Sequence, residues 1–456
     1  MSDTQAQTPS RQRPSLFATR GWRFAMMIVL TLLMFVPLVL ISFVIEDRVS
    51  YRRAAISEVA QHWGGSVSLS GPVIVLPVQR MRTRTVKDED GTRRTESYEE
   101  AAAPIVLRPE TLNLTADARS QIRRRGIFEV PVYAADMEMA FNFDFARVEG
   151  LVGPNETILW TRASLAVFMP ATRSFTGQAI LSAGGRQFDL EPGTPVEHTS
   201  GIHAALGDPR GAPEFTLNMG LNGANEMSFS PSARQTNITL ISDWPHPSFS
   251  GDFLPKEREV REDGFSASWE IPHLARDAAQ VSRGHERARS YFGVRFYNPV
   301  DIYQKTQRAV KYGILFVALT FLSVFLTERL TARPVHAAQF VLIGISQCVF
   351  FLLLLSLAEQ IGFTPSYLAA GSATVGLITF YGATGLGLGR KWWSLGASLT
   401  VLYATLYLIL RSTDYALLAG SLLAFIAVAV VMMLTRREDW SAGISSDAQP
   451  RQPLPT

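Results

Sequence analysis

Residues that could do chemistry are few in this chain, and their spacing is uninformative for catalysis. His198 and His203 stand five apart in a Gly/Pro-rich stretch, with no third ligand spaced to join them. Neither HExxH nor CxxC occurs, so neither common zinc spacing is present. His246 sits between two prolines and His273 follows Pro272, positions that suit loops or strand edges. Cys348 is the one cysteine and falls in an apolar run, where a small packing role is expected. The nearest approach to a nucleophile elbow, Gly344-Ile-Ser346-Gln-Cys348, lacks its second glycine, and no phosphate-cradling glycine motif opens a helix. Carboxylates are plentiful but scattered, so an acid/base pair of the glycosidase kind could be assembled only by folding. No catalytic, metal or cofactor residue is assigned.

Two segments have the chemistry of contact surfaces. Arg123-Arg124-Arg125-Gly126 suits anionic polymers or lipid headgroups, or a solvated turn before a strand. The run from Trp244 to Pro255 sets Trp244, Phe249 and Phe253 among three prolines, with His246 between two of them. Such a loop has few conformers to lose on binding. Trp244, His246, Phe249 and Phe253 are therefore candidate partner-binding residues. A plug over a sheet edge is the competing reading.

These residues must be held by something, and composition says what. Of 456 residues 47% are hydrophobic and only 18% are charged, with a mean hydropathy of +0.11. Soluble domains carry roughly 25% charged residues. The net charge of +3 leaves no large basic face for nucleic acid. Its distribution is uneven: Arg48–Lys305 holds 29 basic and 31 acidic residues, whereas the flanks hold 14 and 9. Surplus positive charge beside apolar runs is the signature of membrane orientation.

Phe24–Ile45 is an uncharged run of about 33 Å as a helix. Four arginines precede it and Glu46 and Asp47 follow, which predicts an uncleaved anchor with a cytoplasmic N-terminus, kinked at Pro37. Five further spans are predicted at Tyr312–Thr327, Ala337–Ala358, Tyr367–Leu388, Trp393–Leu410 and Tyr415–Leu434. Arg329/Arg333, Arg390/Lys391 and Arg436/Arg437 fall on the same inner side as the N-terminal tail. Arg308 and Lys311, just before the second span, break that rule. With Tyr312 they are candidate residues coupling the outer domain to the membrane domain, through contact with that domain or with headgroups. Span interiors hold no ionisable residue, which speaks against an ion-coupled pump. Gln339 and Gln347 are expected to bond between helices, and Gly385-xxx-Gly389 to pack closely.

Between the first two spans a period of two dominates. Tyr133 to Phe145, Phe215 to Leu221 and Phe265 to Ile271 alternate apolar with mostly polar residues, the pattern of half-buried antiparallel strands. Arg82–Val86 and Arg93–Tyr98 flank Asp90-Gly91 as a charged hairpin. A polar helix is expected over Glu46–His62, stopped by Gly64 and Gly65, and a surface helix over Arg276–Arg289. The expected fold is a membrane protein with α and β parts. Residues 1–23 form a cytoplasmic tail, 24–45 an anchor, 46–308 a periplasmic β-rich, sandwich-like antiparallel domain, 309–434 a five-helix bundle and 435–456 a second cytoplasmic tail.

Several stretches carry a family resemblance: Gly71-Pro-Val-Ile-Val-Leu-Pro77, Gly126-Ile-Phe-Glu-Val-Pro-Val-Tyr133, Ser242-Asp-Trp-Pro-His-Pro-Ser-Phe249 running to Leu254-Pro255, and Leu354–Phe363. The most specific is the join Pro299-Val-Asp-Ile-Tyr-Gln-Lys-Thr-Gln-Arg-Ala-Val-Lys-Tyr312. Spanning about residues 45 to 385, they resemble the CreD family of inner-membrane envelope integrity proteins of Gram-negative bacteria. The segment Ser66–Ser70 is less typical of it. The resemblance implies a multi-pass inner-membrane protein tied to envelope stability and stress tolerance, without established catalytic residues. The expected partners are the lipid bilayer and an envelope component or an inner-membrane or periplasmic protein. The competing functional reading is a transporter of a hydrophobic or lipidic solute.

Overall fold

The computed structural model describes residues 20–87, 93–170, 172–196, 198–212, 214–276, 278–284, 289–296, 302–328, 335–386, 392–411 and 416–436. Two compact units emerge, one of Met1–Tyr51 with Asp301–Thr456 and one of Arg52–Val300.

The first unit is helical. Its helices are α1 (Arg20–Leu33), α2 (Phe35–His62), α3 (Ile302–Glu328), α4 (Ala337–Ile361), α5 (Phe363–Thr384), α6 (Trp392–Arg411) and α7 (Ala416–Thr435). Among the described residues, four helical stretches are long and apolar enough to cross a membrane: Trp22–His62, Ile302–Thr327, Ala337–Ile361 and Trp392–Arg411. The helices α5 and α7 lie where the other two expected spans fall. The turn at Met34 between α1 and α2 has a local cause, since Pro37 lacks the N–H that would bond back to Leu33. Beyond it α2 continues unbroken through the expected polar helix. Gly64 and Gly65 then end it at φ of 101° and 78°, left-handed backbone that glycine adopts without penalty.

Polar contacts stitch this unit together. Gln347 Nε2 donates to Thr320 Oγ1 at 2.6 Å, joining α4 to α3, as expected of an interhelical glutamine. Gln339 also bonds between helices, its Nε2 donating to the Gly385 carbonyl at the end of α5, and its Oε1 accepts from His336 N at 2.9 Å in a capping box. Gly385 closes α5, while Gly389 lies outside the described residues. Cys348 is a buried packing residue.

The second unit is built from two sheets. One runs in the order Glu257–Arg261, Gly264–Pro272, Gln235–Ser242, Thr111–Arg125, Phe128–Asn142, Phe215–Ala224, Phe175–Ala183, Arg186–Phe188. The other runs Pro247–Gly251, Phe292–Phe296, Glu226–Phe229, Val67–Lys87, Ala163–Phe168, Gly201–Gly207, Glu191–Pro192. Arg93–Leu107, carrying Val281–Arg283, and Glu156–Ile158 also pair in this second sheet. One continuous core takes Leu69, Ile74 and Leu76 from one sheet and Leu114, Met139, Phe215 and Leu217 from the other. The alternation explains this: in Thr111–Ala118 every second side chain is buried.

Three expectations are corrected. The sheets are not wholly antiparallel: Gln235–Ser242 pairs parallel with Thr111–Ala118, and Val67–Leu69 with Met227–Phe229. More than a hundred residues separate each such pair, ample for the long connection a parallel pairing needs. The strand expected to reach Phe145 ends at Asn142, because Asp144 accepts from Ala146 N at 3.2 Å and caps a 3₁₀ turn over Phe145–Leu151. Arg276–Arg289 holds no helix among its described residues, since Val281–Arg283 bonds as a strand to Ile105–Leu107. The charged arms do pair, from Lys87↔Arg93 inward, while the Asp90-Gly91 turn lies outside the described residues.

Candidate functional site

The proline-rich stretch expected as a loop is in part a strand, Pro247–Gly251 pairing with Phe292–Phe296 at the end of its sheet, and it turns its rings inward. Trp244 is buried, its indole N–H donating to the His246 carbonyl at 3.1 Å and its ring set edge-on to Phe296 at 6.4 Å. Phe249 meets Phe265 and Trp269 at 5.9 and 6.0 Å, and Phe253 meets Phe292 at 6.0 Å. The indole N–H of Trp269 donates to the Phe253 carbonyl at 3.1 Å. The prolines hold the chain extended, which lets neighbouring rings dip into the core in turn. His246, Ser248, Asp252 and Leu254 are the side chains this stretch leaves exposed.

At the start of α3, Lys311 is exposed and Arg308 half-buried. Tyr312 lies over Gly420 of α7, where a Cβ would stand 2.9 Å from its ring. The same end of the helical unit holds a buried carboxylate. Glu359 of α4 has a side chain 8% exposed, accepts from the Tyr303 hydroxyl at 3.0 Å and stands 3.8 Å from Arg48 of α2. Three helices, α2, α3 and α4, thus meet at one carboxylate. Lys305, two residues after Tyr303, lies 5.5 Å from the Phe363 ring centre.

The arginine triplet is engaged within its own unit. Arg123 stacks on Trp63 at 4.3 Å, Arg124 bonds Glu129 at 2.8 Å and Arg125 bonds Glu58 at 2.5 Å. These ties lash the last turns of α2 to the hairpin Thr111–Asn142, beside a small core of Ala60, Val130, Val132 and Ala224.

Elsewhere in the β unit, Glu156 is clamped by two arginines. Arg80 Nη2 reaches its Oε1 at 2.6 Å, Arg283 Nη2 bonds its Oε2, and Gly153 N donates to Oε2 at 3.0 Å. The Gly153 amide, then the arginines, hold this carboxyl down at about 2. Glu110 and Asp144 share Arg147, whose Nε stands 2.7 Å from one and 3.1 Å from the other. Two carboxylates thus share one guanidinium in an ion-pair network. His203 Nδ1 lies 3.2 Å from the Gly193 carbonyl, and among the described residues no three His, Cys, Asp or Glu side chains converge on a metal position.

The family model described as "Inner membrane protein CreD" matches residues 19–441. The protein of that name from Escherichia coli (strain K12) is 34% identical over 436 residues, covering 92% of this chain and 94% of its own length. A match this extensive takes in α2, both sheets and the helices α3 to α7, and the chain belongs to the CreD family of inner membrane proteins.

Proposed function

We propose that this protein maintains envelope integrity without catalysing a reaction, its β unit standing in the periplasm and engaging an envelope component or a protein partner. The observation that carries the reading is the β unit itself: two sheets share one continuous core, and its conspicuous aromatics and arginines serve that core and its ion pairs. Such a unit is a rigid platform rather than a pre-assembled reaction centre. Family membership and the inside-positive charge pattern support its placement, with six spans, both termini cytoplasmic and residues 46–308 outside. Deleting the gene should raise detergent sensitivity, alter cell shape and change β-lactam susceptibility, with the full chain restoring each. Unchanged phenotypes on all three would overturn the proposal. Placement is tested separately by Ser97→Cys, an exposed strand position, which a membrane-impermeant maleimide should label in cells with a permeabilised outer membrane.

A second reading rests on one feature of the helical unit. Between α5 and α6 runs an apolar groove of about 600 Å³ lined by Tyr367, Gly371, Gly376, Tyr403 and Tyr407. It suits an acyl chain and therefore the handling of a lipidic solute. Lipid flux in proteoliposomes that is the same with and without the protein would exclude it.

A further inference from the structure

The arms of the charged hairpin outrun the rest of their sheet. Val67–Lys87 and Arg93–Leu107 pair without a break from Val78↔Ala102 to Lys87↔Arg93. On the outer side of Val67–Lys87, the strand Glu156–Ile158 stops opposite Arg80, and Met81 N donates to the Asn155 carbonyl at 2.9 Å. On the outer side of Arg93–Leu107, Val281–Arg283 covers Ile105–Leu107, and Gly284 N donates to the Pro104 carbonyl at 2.8 Å. Among the described residues no strand pairs with either edge further out. Met81–Thr85 and Arg93–Ala101 are exposed, so both faces of this ribbon meet solvent.

Two strands without a buried face are marginal by themselves, and cross-strand pairs are what hold them. The register sets Arg80 opposite Glu100 and Arg84 opposite Glu96, and Arg82 Nε stands 2.6 Å from Glu100 Oε2. The two edges differ in the order of their charges. From Met81 to Val86 one edge carries Arg82 and Arg84 and no acid. The other reads Arg93-Arg94-Thr95-Glu96-Ser97-Tyr98-Glu99-Glu100, basic where it begins and acidic where it ends. Charge on an edge strand wards off indiscriminate pairing. Charge in this order does more, because the segment run antiparallel is complementary to itself.

We propose that this edge joins two copies of the chain, Arg93–Glu100 of one pairing antiparallel with the same segment of the other about a two-fold axis at Ser97. In such an isologous contact every pairing occurs twice. Centring on Ser97 sets Arg94 of one copy opposite Glu100 of the other, Thr95 opposite Glu99 and Glu96 opposite Tyr98. Centring on Glu96 would set that carboxylate against itself, and centring on Tyr98 would set Glu96 against Glu100; like charges directly opposite are destabilising. The edge bearing Arg82 and Arg84 has no acid to offer a second copy of itself. A two-fold axis also closes the assembly at two copies, whereas pairing of unlike edges would continue into an open fibre. The second copy is a partner distinct from the envelope component proposed above, and the pairing does not depend on where the β unit stands.

The test uses the full-length protein in detergent. Sedimentation over a concentration series should show a dimer that dissociates on dilution, and Arg94→Glu should weaken it about tenfold, since the reversed charge is met twice. Within its own hairpin Arg94 stands opposite Val86, so this change leaves the ribbon's cross-strand ion pairs in place. Ser97→Cys and Thr95→Cys are then oxidised separately with copper phenanthroline. Directly opposite residues of antiparallel strands lie about 4.5 to 5.5 Å apart at Cα, within disulfide reach, so Ser97→Cys should crosslink as a dimer. The two Thr95 positions are displaced by four residues, about 13 Å, and should stay uncrosslinked. Wild type, whose Cys348 is buried, should stay uncrosslinked too. A wild type that is monomeric throughout the series, a mass series running beyond the dimer, or a dimer indifferent to Arg94→Glu overturns the proposal. So does crosslinking that is absent from Ser97→Cys or equal in the two cysteine variants.

Discussion

The Tyr303 hydroxyl donates to Glu359 Oε1 at 3.0 Å, tying the first turn of α3 to the last turns of α4 across 56 positions. Arg48, at 3.8 Å, adds α2 to the same carboxylate. Replacing Glu359 by Ala should therefore loosen three helices at once. The expected cost is about 2 kcal/mol, the scale of a hydrogen bond to a charged group. Tyr303→Phe should cost about half as much. Thermal unfolding of the detergent-solubilised protein checks both, and unaltered midpoints would show that the junction is not a stabilising one.

Glu156 links stability to acid. Its carboxyl sits at about 2 in the folded protein against an ordinary value of 4.5, so its contribution is complete above pH 4.5 and is lost as pH falls towards 2. Glu156→Gln should destabilise the protein near neutrality, and the gap from wild type should close over that window. Tryptophan fluorescence through acid unfolding reads it. A gap independent of pH would mean that the clamp acts by shape rather than charge.

Gly223 is a close-packing position. A Cβ there would lie 2.3 Å from Cζ and Oη of Tyr133. That ring cannot yield, being stacked on Phe296 at 4.6 Å with its hydroxyl bonded to the Glu226 carbonyl at 2.8 Å. Burial also drives the phenol well above its ordinary pKa and keeps it protonated as that donor. Gly223→Ala should cost about 3 kcal/mol by overpacking, seen as loss of folded protein on expression, and Tyr133→Leu in the same chain should recover part of it.

The proline-rich stretch separates packing from recognition. Trp244→Ala should cost about 3 kcal/mol, because a buried ring leaves a cavity. His246→Ala, at an exposed position, should change stability by no more than about 0.5 kcal/mol. If the loop meets a partner, His246→Ala at wild-type abundance should fail to restore detergent resistance in a deletion strain. Full restoration would assign the loop to the core alone.

Arg308 and Lys311 are expected to meet the outer domain or lipid headgroups. Replacing both by Ala should alter limited proteolysis of the β unit in membranes, and an identical cleavage pattern would exclude that role.

Much of this architecture is written locally. Apolar runs long enough to cross a bilayer, charges at their ends and alternation along Thr111–Ala118 are nearest-neighbour properties, because helix and strand periods depend only on adjacent backbone. Glycines at positions 64 and 65 likewise announce the end of α2 through their own conformational freedom. Pairing is another matter. The parallel match of Gln235–Ser242 with Thr111–Ala118 joins strands that share no local signal, and it is settled by which apolar faces close the common core. The same closure turned Trp244, Phe249 and Phe253 inward, although their sequence suits an exposed recognition loop equally well. It also brought Arg147 and Arg234 to Glu110, while helix packing carried Glu359 to Tyr303 and Arg48. Charges tens to hundreds of positions apart become neighbours only through the chain's global path, since Coulomb attraction and burial act across space and leave no mark in spacing.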